Sequence, residues 1–124
     1  MAETFRVLEY TEASRSPFAE WFNQLDPVTA ARVDRYIRRL EAGNFGAAKP
    51  LSGGVCELRL DFGPGYRIYY GLAGDDLILL AGGTKSSQAA DIDKAKSFWM
   101  DYEERKRDAQ KARLQSRPSG RFKK

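Results

Sequence analysis

Glu57, Arg59 and Arg67 are the residues of this 124-residue chain whose types and spacing could do chemistry. They stand in VCELRLDFGPGYRIYYG, residues 55–71, where apolar and polar residues alternate on both sides of a Gly-Pro-Gly turn. Residues two apart in a strand share a face. Cys56, Leu58, Leu60 and Phe62 therefore make one face of the first arm, and Glu57, Arg59 and Asp61 the other. In the second arm Tyr66, Ile68 and Tyr70 alternate with Arg67 and Tyr69. Placing both apolar sets on one core sets Leu58 opposite Ile68 and Leu60 opposite Tyr66. The same register sets Arg59 opposite Arg67 and Glu57 opposite Tyr69.

Two arginines facing each other across a strand pair repel, at a cost of about 0.2–1 kcal/mol. Two readings of that face follow. One is a Glu–Arg–Arg network on a solvated face, with Glu57 pairing to both arginines. The other is a cationic patch for an anion such as a phosphate or a carboxylate-rich partner. Lys49, Arg59, Arg67 and Lys85 are the only basic residues between Arg39 and Lys94. The first precedes the hairpin and the last follows the next strand, so all four are expected to converge on one end of a sheet.

The elements that must position them read as follows. TFRVLEYT, residues 4–11, alternates and is rich in strand formers. Ser16 and Pro17 cap a first helix, with Phe18, Trp21, Phe22 and Leu25 on one face, and Asp26 and Pro27 start a second. In that second helix Ala30, Val33, Ile37 and Leu40 make the buried stripe, and Gly43 is the stop signal. NFGAAKPLSGG, residues 44–54, reads as a connecting loop carrying Lys49. After the hairpin comes LILLAGG, whose continuous apolar run predicts a central strand buried on both faces. A helix with Ile92, Ala95, Phe98, Trp99 and Tyr102 follows. ERKRDAQKARL can continue that helix but has almost no apolar face. The expected fold is α+β: a small antiparallel sheet of about four strands in the order β-α-α-β-β-β-α, with an N-terminal helical hairpin and a C-terminal helix.

Composition narrows the function. With one cysteine and no histidine, the chain offers no zinc or haem ligand set and lacks the commonest acid–base side chain near neutral pH. No cofactor and no metal is expected. The lone Cys56 fits a reducing, cytoplasmic setting and sits on the apolar face of its strand as an inert core thiol. MAETFRVLEYTEA carries neither a basic nor an apolar leader segment, and the longest apolar run is LILLA, so no membrane association is expected. Arg105 through Lys124 holds nine Lys and Arg against the single acid Asp108, a net +8; residues 1–104 are left at −4 within a total of +4. Residues 1–104 thus read as the folded domain and 105–124 as a basic, solvated and partly disordered extension. Arg32, Arg35, Arg38 and Arg39 read as a solvated helix face, Trp21, Phe22 and Trp99 as packing, and Gly63–Gly65 as turn chemistry and not a phosphate loop.

FAEWFNQLDPVTAARVDRYIRRLEAG, KPLSGGVCELRLDFGPGYRIYY and LLAGGTKSSQAADIDKAKSFW together resemble the RelE/ParE superfamily of type II toxin–antitoxin toxins, within it the HigB-like, phage-derived group called addiction module killer proteins. The resemblance runs from about residue 4 to about residue 104. It implies a small microbial toxin with a RelE-like fold, inhibited by an antitoxin encoded beside it. Its ribonuclease members are mRNA interferases: they cleave messenger RNA on the ribosome without a metal, directing the ribose 2′-hydroxyl at the neighbouring phosphate, and so inhibit translation. The chain is then an endoribonuclease, with RNA binding at Lys49, Arg59, Arg67 and Lys85. Arg67 matches the arginine those nucleases place on the phosphate, Arg59 a basic strand position, and Lys85 the basic residue after the last strand. Glu57 stands where the nucleases carry a second lysine, and Asp91 near where they carry a tyrosine; Glu57 becomes the candidate base. The superfamily's gyrase-poisoning branch shares the fold without the nuclease chemistry, which makes DNA gyrase the alternative partner. A binding module whose arginines are neutralised by Glu57 is a third reading.

Overall fold

The computed structural model describes residues 4–116. A five-stranded mixed sheet carries helices on both faces. The strands are β1 (Arg6–Glu9), β2 (Ala48–Pro50), β3 (Val55–Leu60), β4 (Tyr66–Ala73) and β5 (Asp76–Thr84), in the spatial order β1-β5-β4-β3-β2. The helices are α1 (Pro17–Phe22), α2 (Pro27–Glu41) and α3 (Gln88–Gln115). Among the described residues, no helix is long and apolar enough to cross a membrane.

Local chemistry explains the first half. The Ser16 hydroxyl accepts from the Ala19 amide and starts α1, and the Asp26 carboxylate accepts from the Thr29 amide and starts α2, each with proline at the first helical position. Val33, Ile37 and Leu40 are buried, and Gly43 ends α2 with φ +84°. They pack with Phe18, Leu58, Leu60, Ile68, Tyr70, Leu77 and Leu79 into one core layer. On the opposite face Tyr10, Val55, Tyr69, Ile78, Leu80 and Ala81 pack against Ala95 and Trp99 of α3. A bulge between Tyr69 and Tyr70 lets β5 skip Leu80 in its pairing. Two successive residues, Leu80 and Ala81, can then both serve the α3 layer.

Three expectations need correction. The sheet has five strands and is mixed: β1 runs parallel to β5, Arg6 beside Asp76 and Val7 beside Leu77. Strand direction there is set by the path of the chain over the sheet through α1 and α2, which local alternation does not encode. The extra strand, β2, lies within the stretch read as a loop, with Lys49 paired to Glu57 and Pro50 to Cys56. Its glycine-rich surroundings mask it, and a proline is tolerated because β2 is an edge. Third, β5 is buried on both faces but lies beside the middle of the sheet; β4 is the central strand.

The hairpin register is as expected throughout: Glu57 faces Tyr69, Leu58 faces Ile68, Arg59 faces Arg67 and Leu60 faces Tyr66. The C-terminal helix does not stop at residue 104. It continues without a break to Gln115, and its residues from Glu103 onward are exposed. Residues 117–124, the remainder of the expected extension, lie outside the described residues.

Candidate phosphate-binding cleft

The face carrying Glu57 and Arg67 is not the wet surface that alternation suggests. Helix α3 covers it. Glu57 is fully buried, Tyr69 likewise, and Arg67 retains 7% exposure. Two glycines permit this close cover. A Cβ at Gly71 would run into the Trp99 ring, and one at Gly83 into the Asp91 carboxylate. On this face of the hairpin Arg59 and, just past the end of β3, Asp61 stay exposed.

Cross-strand register builds the site in two rows. Lys49, Glu57 and Tyr69 lie side by side across β2, β3 and β4; Arg59, Arg67 and Gly83 lie side by side across β3, β4 and β5. Thr84 ends β5, and a single 3₁₀ turn, Lys85–Ser87, leads into α3 at Gln88. The four bases picked out by the sequence do converge. Lys49, Arg59, Arg67 and Lys85, together with Asp61, Gly65 and Gln88, line one open cleft of about 450 Å³.

Each charged group is held differently. The Arg67 Nη1 donates to the Gly65 carbonyl at 2.8 Å and more weakly to the Tyr66 carbonyl at 3.4 Å. Gly65 holds φ +78°, and a Cβ there would sit 3.2 Å from Arg67 Nη1, so glycine at the turn is what lets the guanidinium fold back against its own hairpin. Glu57 does not join the arginines in a network. Its Oε2 accepts from Gln88 Nε2 at 2.7 Å, and its Oε1 lies 3.8 Å from Lys49 Nζ, an ion pair beyond hydrogen-bond reach. A buried carboxyl group takes the neutral donor that α3 presents before the arginine whose guanidinium is turned toward Gly65.

Beneath the mouth of the cleft, three buried polar atoms have no hydrogen-bond partner: Glu57 Oε1, Arg67 Nε and the Tyr69 hydroxyl. Burial, followed by the nearby Glu57 and Asp91 carboxyls, pushes the Tyr69 hydroxyl well above its usual range and keeps it protonated. Unpaired buried polar atoms are rare in folded chains. One is an acceptor and two are donors, and the Glu57 carboxyl group lies close enough to Tyr69 to raise its hydroxyl pKa.

Gln88 went unnoticed in the sequence, and Gly65 was read only as part of the turn. Gln88 stands three residues after Lys85, one turn on, which places both on the same side of the helix start; that spacing was the available signal. Asp91 is not in the cleft. It accepts from Ser87 and lines a separate hollow of about 580 Å³ with Glu20, Trp21 and Lys94. That hollow is larger, but its charges are mixed. Cys56 is half-buried beside the α1/α2 core, and burial raises its thiol pKa. Arg32 and Arg39 lie over the rings of Phe62 and Tyr36, and Arg38 pairs with Asp34 and Glu41, so the basic side of α2 is a satisfied surface. Among the described residues, no group of three His, Cys, Asp or Glu side chains is placed to hold a metal ion.

An uncharacterized protein of Haemophilus influenzae is 44% identical to this chain over 81 residues, which span 64% of this chain and 82% of that protein. No protein-family model matches the chain. No solved structure matches it either.

Proposed function

The chain belongs to one family with that uncharacterized Haemophilus influenzae protein; on the geometry of the cleft and the sequence resemblance, we propose that it is the toxin of a type II toxin–antitoxin pair, with a RelE/ParE-like fold and the activity of a metal-independent endoribonuclease on ribosome-bound messenger RNA. The observation that carries the reading is the convergence of Lys49, Arg59, Arg67 and Lys85 over a buried carboxyl group. Cleavage of a ribose–phosphate chain by its own 2′-hydroxyl needs three things: a base, positive charge on the phosphate as it becomes pentacovalent, and a proton for the departing 5′-oxygen. In this reading Arg67 and Arg59 hold the scissile phosphate. Glu57 Oε1 takes the 2′-hydroxyl proton, the 2′-oxygen bonds to phosphorus, and the P–O5′ bond breaks as Lys85 protonates the 5′-oxygen, leaving a 2′,3′-cyclic phosphate. Lys49 lies over Glu57 on the edge strand β2. Drawn outward by the flanking phosphate, it uncovers Oε1 for the ribose.

Expression of the chain without its genomic neighbour tests the proposal. Growth arrest with new transcript 5′ ends is the expected result. Arrest with intact transcripts and DNA-damage signalling would transfer the target to DNA gyrase. Unimpaired growth would leave a binding module without toxicity. Co-expression of the neighbouring antitoxin gene is expected to restore growth.

A further inference from the structure

The second half of α3 has no work to do in the fold. From Glu103 to Ser116 every residue is exposed. The last anchors are at its root, where Arg105 donates to Asp101 and to the Thr11 carbonyl and Lys106 lies over the Tyr102 ring. A projecting helical segment of this length is marginal by itself in water, and this one holds five bases against three acids, with Glu103 and Glu104 at its start. Beyond Arg105 it carries Lys106, Arg107, Lys111 and Arg113 against Asp108 alone. Among the described residues, none of those four bases has an ion-pair partner.

We propose that this projecting half of α3 is a second binding surface, which grips the phosphodiester backbone of duplex nucleic acid away from the cleft. At about 1.5 Å per residue, Lys106 to Arg113 lie roughly 27–37 Å along the helix from Gln88 at the cleft. At about 100° per residue, Lys106 and Arg113 share one row and Arg107 and Lys111 a second, roughly 130° round the axis. Two basic rows on one rod match two phosphate strands flanking a groove. Other occupants fit less well. A membrane surface asks for an apolar face, and a protein groove asks for apolar anchors at helical spacing; the only large apolar residue of the projection is Leu114. RNA and DNA duplexes share the backbone chemistry, and the inference does not rest on what the cleft does.

The test measures binding of the full chain to an RNA duplex and to a DNA duplex of the same sequence, over a salt series. The wild type is expected to bind at least one, and the tighter of the two identifies the source. With Lys106→Gln, Arg107→Gln, Lys111→Gln and Arg113→Gln together, affinity at about 0.1 M salt falls at least tenfold and the slope of log K against log salt flattens by about 3–4. Arg38→Gln, at an exposed base of α2 already paired with Asp34 and Glu41 and outside both surfaces, is expected to keep the wild-type duplex affinity. Glutamine is a good helix former, and circular dichroism checks that the helix persists. If it does not, Arg107→Lys with Arg113→Lys supplies the control, because retained charge must retain the slope. Wild-type slope in the quadruple variant, no duplex binding by the wild type, or preferential binding to anionic vesicles each overturns the inference.

Discussion

Arg59 and Arg67 face each other across β3 and β4, yet their side chains occupy different worlds: Arg59 is exposed, and Arg67 is buried under α3 with Nη1 on the Gly65 carbonyl. The separation relieves the like-charge contact that the register imposes. It also assigns unequal duties, one arginine fixed in direction and one free to follow a ligand.

That inequality predicts unequal substitutions. Lysine cannot reproduce the planar fork of a fixed guanidinium, so Arg67→Lys is expected to reduce RNA cleavage by about 10²–10³-fold. Arg59→Lys, which keeps a mobile charge, is expected to cost about tenfold or less. Single-turnover cleavage of a ribosome-bound message measures both. Equal losses would remove the distinction.

Glu57→Gln separates stability from activity. The amide preserves the side-chain shape and its acceptor for Gln88 while removing a buried carboxyl whose Oε1 has no hydrogen bond. Folding stability is expected to fall by about 1 kcal/mol, because the new amide NH2 takes the buried place of Oε1 beside Lys49 Nζ, seen in the urea midpoint. In the proposed mechanism Glu57 is the base, and there cleavage is expected to fall by about 10²–10⁴-fold. A folded variant with wild-type cleavage would take Glu57 out of the chemistry.

Gly71 lies flat beneath Trp99. Gly71→Ala is expected to destabilise the chain by about 1–3 kcal/mol, because a methyl group has nowhere to go. Adding Trp99→Leu should recover part of the loss, and a double-mutant cycle in urea would show the coupling.

Alkaline stability depends on buried tyrosines. Burial, aided by the hydrogen bond to Asp101, pushes Tyr10 up to about 12, and burial pushes Tyr69 and Tyr70 above their usual range. The folded state therefore keeps protons that the unfolded chain releases near the ordinary tyrosine value of 10.0. Their contribution to stability is complete below that pH; Tyr10's share is lost as pH rises through about 12, and those of Tyr69 and Tyr70 as pH rises through their own raised values. Tyr70→Phe removes one such group and is expected to move the alkaline unfolding midpoint upward. Tyrosinate absorbance and circular dichroism followed together check it.

How much of this was legible follows from the range of each signal. The β3–β4 register could be read because both arms alternate with the same period and share a short turn, so parity alone fixes the partners. Both helix starts could be read because the cap is local. The burial of Glu57 could not, since the element that covers it begins with Gln88, 31 residues downstream. Lys49 was expected near the site, but its strand was hidden among glycines and a proline. The parallel placement of β1 was invisible for the same reason on a larger scale: its partner Asp76 lies 70 residues away from Arg6.

That last pairing has a consequence for the order of events during synthesis. β1 leaves the ribosome first but has no neighbour until β5 emerges, and α1 and α2 have no sheet to rest on until β3 and β4 exist. Lys85 and Gln88 come later still. The nascent chain carries its first forty residues as an unfinished third, and the cleft closes only when most of the message has been read. The proposed phosphate cleft is thus completed only by the last third of the chain, when Lys85 and Gln88 join it.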